Sequence, residues 1–149
     1  MSQVPTPAVT QEIAALYSRQ SWAIDSGDAE AWADTFTEDG TFSSPSYPEA
    51  ATGREQLIRY GRGVTADAEA RGHHLQHWVS GLSLTGATQD EVTGRAYLSL
   101  VAVVPGEPPR ALRNVWLTDR LVRTKGGWRF ARRDVSLIPT SPVTGSLKA

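Results

Sequence analysis

The chain has 149 residues, 40% of them hydrophobic, with five Trp, four Tyr and three Phe, which is enough apolar material for one core of ordinary domain size. Fifteen basic and sixteen acidic residues leave a net charge of −1, which excludes the broad basic field that nucleic acid requires. There is no Cys, so disulfides, thiolate–zinc sites and cysteine nucleophiles are excluded too.

No apolar run approaches the ~20 residues of a membrane span. Residues 1–9 lack the charged start and apolar stretch of a signal peptide and read as a flexible tail. Residues 139–149, rich in Ser, Thr, Pro and Gly, read the same way. The expectation is a single cytoplasmic domain over 10–138. In chain order, Thr10 is placed to cap a first helix running to about Ser26, with Ile13, Leu16, Tyr17, Gln20 and Ile24 on one side at helical spacing. Gly27 ends it, and Asp28 caps a short second helix carrying Trp32 and Phe36 inward. Glu38-Asp39-Gly40 reads as a turn before a short strand at Thr41–Ser43. Ser44 to Ala51 is a loop holding two prolines and Tyr47. Thr52-Gly53-Arg54-Glu55 has the spacing of a capping box, opening a third helix with Leu57, Ile58, Gly61 and Val64 inward.

The second half changes period. Residues 75–84, 92–104, 110–123 and 128–138 alternate in polarity and are rich in Val, Leu, Trp and Tyr, so they read as four strands. Short Gly- and Pro-bearing connections suit hairpins. Helices first and an antiparallel meander second specify an α+β fold. The Arg129, Arg132, Arg133 cluster, near Arg120 and Arg123, reads as a solvated strand face.

Four stretches carry a resemblance. They are Trp22 to Asp28 followed by Trp32 and Phe36–Gly40; Thr52–Glu55; His73–His77; and Asp119–Arg123 with Gly127–Arg133. Together they resemble the nuclear transport factor 2-like superfamily, within it the SnoaL-like branch. The resemblance spans roughly residues 8 to 138 and implies three N-terminal helices packed on a strongly curved, mixed but mostly antiparallel sheet. Such a cone-shaped α+β barrel encloses a deep pocket. The superfamily hosts dehydratases, isomerases, polyketide cyclases, epoxide hydrolases, dioxygenase small subunits and binders, so fold alone does not set the chemistry.

All three histidines fall in one five-residue segment. On a strand, His73 and His77 share one face, and His74 shares the other with Gln76 and Trp78. Resemblance to scytalone dehydratase-like members implies that a histidine here pairs with the aspartate ending the first helix. That maps to Asp25 with His74, or with His73. By the 100° per residue of a helix, Asp25 lies about 120° from Ile13 and flanks the core stripe. Imidazole can take and return a proton near neutrality, and a carboxylate can fix its tautomer. His73 and His77 would stand about 13 Å apart on a regular strand, too far to share a metal, so none is expected. Two family features are missing. Leu100–Val104 holds no second histidine, and neither Arg95 nor Arg113 stands in an Arg-x-Asp spacing.

The expected activity is cofactor-independent acid–base catalysis, as a dehydratase, isomerase or cyclase, including epoxide-opening cyclisation. The substrate would be a hydrophobic oxygenated ring compound such as a polyketide or terpenoid intermediate. Asp25 and His74 would be catalytic, with Asn114 or Tyr47 as a hydrogen-bonding group. Tyr17, Trp22, Trp78, Trp116, Arg132 and Asp134 complete the candidate substrate-binding set. The competing expectation is a non-catalytic binding module or an oxygenase small subunit. The spare Trp and Leu of the sheet point to a homodimer or homotrimer.

Overall fold

A computed structural model describes residues 3–138. The tail expected at 139–149 lies outside the described residues. Helix α1 spans Pro7–Asp25, α2 spans Ala29–Ala33 and α3 spans Arg54–Ala70. The strands are β1 (Phe36–Ser43), β2 (Ala51–Thr52), β3 (His74–Thr85), β4 (Glu91–Val103), β5 (Arg110–Thr124) and β6 (Gly127–Leu137). They form one six-stranded sheet in the order β2-β1-β6-β5-β4-β3. Among the described residues only the β1–β6 pair is parallel, so the sheet is mixed and mostly antiparallel, as expected. It is strongly curved and open, with β2 and β3 as its edges. Among the described residues, no helix is long and apolar enough to cross a membrane.

The helix stripe read from the sequence is the buried one: Ile13, Leu16, Tyr17, Gln20 and Ile24 are the buried residues of α1. The helix starts earlier than Thr10, however. The Thr6 hydroxyl accepts from the Val9 N–H, and Pro7 follows at a first-turn position where its missing N–H costs nothing. Asp28 caps α2 as expected, accepting from the Ala31 N–H. The capping box does not form. Gly53 is the cap of α3 at φ 84°, a left-handed conformation that glycine adopts without strain. The Thr52 hydroxyl meets Thr41 across the β1–β2 pair instead. The expected turn at Glu38–Gly40 lies inside β1, where the register with β6 shifts between Phe36 and Thr41.

The core lies between the concave sheet face and the helices. Ile13, Leu57, Val92, Leu121 and Phe130 are fully enclosed. Trp32 packs edge-on against Phe36 and Phe42 and stacks on Tyr60. Gly94 lacks a side chain for a packing reason. The Tyr17 hydroxyl and Leu121 occupy the space a Cβ would take.

The opposite, convex face carries Trp78 and Tyr97, both about half exposed, with Trp116 beside Tyr97. The solvated arginine face also needs correction, because Arg133 is buried while Arg132 is exposed. The cause is a bulge. Arg120 pairs with Arg132 but Leu121 pairs with Phe130, so Ala131 is an extra residue that reverses the alternation.

Candidate active site

The pocket opens between the concave sheet and the ends of the helices. Ile24, Trp32, Phe42 and Val64 wall one side, and Val79, Leu98, Leu100, Val115, Leu117 and Val135 the other. Its polar groups are Gln20, Ser21, Ser44, Ser46, Tyr60, His77, Arg113 and Arg133. The cavity volume is about 90 Å³.

Asp25 is the last residue of α1, and its carboxylate faces β3. Both carboxylate oxygens accept from the His77 backbone N–H at 3.1 Å, and Oδ1 lies 2.6 Å from His77 Nδ1. A carboxylate only accepts, so Nδ1 is the ring donor, and in the neutral imidazole Nε2 is left as an acceptor. The pair is mostly buried, at 19% and 15% side-chain exposure for His77 and Asp25. His77 lines the pocket and Asp25 stands behind it, bordering a separate groove with His73 and His74. The sequence reading joined Asp25 to His74. The structure joins it to His77, because the concave face of β3 takes His77 and Val79 while His74 is exposed.

The same strand phase moves other candidates out of the pocket. Trp78 and Trp116 lie on the convex face, and so does Asn114, which donates to the Ser99 hydroxyl there. On β5 the concave residues are Arg113, Val115 and Leu117. Trp22 is 74% exposed on α1. Arg132 and Asp134 form an exposed ion pair outside the pocket. Tyr47 does not line the pocket itself; it packs edge-on against Tyr60, which does.

Tyr17 is buried behind the pocket, in a polar cluster that sequence reasoning missed. Its hydroxyl donates to Asp119, which also accepts from Arg133 Nε and Nη2 at 2.8 Å each. Arg133 donates further to Gln20, whose amide donates to Thr35. Burial opposes the Arg133 charge, but Asp119 outweighs it and the guanidinium pKa is raised. Burial, then the Asp119 charge, pushes the Tyr17 phenol well above its usual range. Burial does the same for Tyr60, with Tyr47 adding to it and Arg113 opposing. Tyr60 is therefore a neutral donor at the pocket wall.

Comparisons with known proteins agree with this architecture. Residues 8–134 match the SnoaL-like domain. No curated protein matches the chain. Among solved structures, an NTF2-like protein with a cystatin-like fold from Novosphingobium aromaticivorans is 28% identical with TM-score 0.78, covering 89% of this chain and 84% of that one. ActVI-ORFA from Streptomyces coelicolor is 28% identical with TM-score 0.76, over 87% and 96%. A Catenulispora acidiphila protein in complex with S-DNPA is 25% identical with TM-score 0.73, over 87% and 95%.

Proposed function

The chain belongs to the SnoaL-like family, and from that premise we propose that its pocket performs cofactor-independent proton transfer on a hydrophobic, oxygenated ring compound. The observation that carries the reading is the Asp25–His77 contact of 2.6 Å, with the ring on the wall of a pocket whose sheet side is mostly aliphatic. Asp25 holds the Nδ1–H form, so Nε2 is the free base. Nε2 takes a proton from the carbon beside a carbonyl, and the imidazolium is stabilised by the carboxylate behind it. The Nε2–H then returns the proton to a leaving hydroxyl or to a ring carbon. That is dehydration in the first case and isomerisation in the second; in a cyclisation the enolate carbon would instead attack a second carbonyl of the substrate, whose oxygen takes the Nε2 proton. Tyr60, kept protonated by burial, donates to the enolate oxygen as charge develops there.

The likeness to ActVI-ORFA and to the S-DNPA complex supports a small-molecule pocket of this kind. A second reading, a non-catalytic binder or an oxygenase subunit, draws support from the exposed Trp78 and Tyr97 of the convex face. A second copy of this chain would pack on that same face in the expected homo-oligomer.

Loss of the α-protons of 2-tetralone in D₂O, followed by proton NMR, separates the two readings. Exchange faster than buffer alone is the expected result. Binding of 2-tetralone without acceleration supports the binder instead.

A further inference from the structure

We infer that the compound this pocket takes carries a carboxylate, seated on Arg113 at the far end of the cavity from His77. The inference rests on the proposed reading of the pocket as a substrate site. His77, Leu100 and Arg113 are direct register neighbours across β3, β4 and β5. All three face the pocket. Two strand spacings put the bases of the His77 and Arg113 side chains about 10 Å apart, with apolar wall between.

Arg113 is an unusual residue for a row that continues into Val115 and Leu117. Its guanidinium donates to the Ser46 hydroxyl and forms no ion pair among the described residues. The other pocket guanidinium, Arg133, is already engaged by Asp119 and Gln20. Arg113 therefore keeps a planar fork of donors free, the shape that receives a carboxylate on two bonds. Burial raises the Tyr47 and Tyr60 phenols, helped by Asp67 at Tyr47 and by Tyr47 at Tyr60, and the nearby Arg113 charge offsets only part of that rise in each. The cavity's 90 Å³ is smaller than the ~150 Å³ that admits one benzene ring, so a ring compound reacting at His77 extends beyond the enclosed volume, and Arg113 is an exposed residue of the same lining.

Calorimetric titration of the full chain with 2-naphthylacetate and with neutral 2-naphthylacetamide tests the inference. The acid should bind about tenfold tighter than the amide, a difference of about 1.4 kcal/mol. Arg113→Gln should erase that preference without unfolding the protein, since the residue is exposed. His77→Gln should leave the preference intact, which separates this inference from the acid–base reading. Absent α-proton exchange with an intact Arg113-dependent preference would sink the chemistry alone. Equal affinities, a preference that survives Arg113→Gln, or no binding of either compound would overturn the inference.

Discussion

His77→Gln should slow α-proton exchange by about 10²–10⁴-fold, the usual contribution of a positioned acid–base group. His74→Gln should leave exchange at the wild-type level. The two residues are three apart on one strand, so the contrast is a test of strand phase as much as of chemistry. His77 points into the cavity with Asp25 at its back, whereas His74 is exposed. Glutamine approximates the ring's reach but does not titrate, so the pocket shape is largely kept and the proton shuttle is lost. Asp25→Asn should cost activity for a different reason. An amide can donate as well as accept, so the imidazole is free to adopt the tautomer with its proton on Nε2, where it no longer serves as a base. Retained exchange in His77→Gln with loss in His74→Gln would return the assignment to His74.

Asp119→Ala should destabilise the fold by about 3–5 kcal/mol, among the largest effects available to one substitution here. Asp119 is 1% exposed and Arg133 7%. The carboxylate accepts from two nitrogens of Arg133 and from the Tyr17 hydroxyl, tying α1, β5 and β6 together. Removing it strands a buried guanidinium and a buried phenol at once. At about 3 °C per kcal/mol for a domain this size, the melting temperature should fall by about 10 °C. The double variant Asp119→Leu with Arg133→Met should recover part of the loss, because the pair no longer has to be desolvated. Thermal and urea unfolding read both variants. A single variant within about 1 kcal/mol of wild type would show that the ion pair contributes little beyond packing.

The sequence reading located elements better than faces. The long alternating runs of β3 to β6 were placed within a residue or two of their observed ends, because twelve or so residues of alternation leave little room for another period. The α1 stripe was legible for the same reason. Faces were harder, since alternation shows that two faces exist without showing which one the helices cover. On β3 and β5 both phases carry large apolar residues, and the aromatic ones, Trp78 and Trp116, lie on the outer face. Hydrophobicity therefore favoured Asn114 and Trp116 over Arg113 and Val115. Arg133 was hidden by the bulge at Ala131, which reverses the phase within β6 and leaves no mark in composition. Asp25 entered through the family resemblance, which implies an aspartate at the end of the first helix paired with a histidine of this strand. Its histidine partner depended on the strand phase. The Thr6-Pro7 start of α1 did carry a sequence signal, Pro at the first turn after a hydroxyl residue.

In the proposed mechanism Asp25 holds His77 with its proton on Nδ1 and its Nε2 open to the pocket. Long-range proton–nitrogen NMR of ¹⁵N-labelled protein, at a pH where the ring is neutral, reads that tautomer directly. A protonated Nδ1 and an unprotonated Nε2 are expected for His77 in the wild type, shifting toward the Nε2–H form in Asp25→Asn. A wild-type His77 protonated on Nε2, unchanged by the Asp25 substitution, would contradict it.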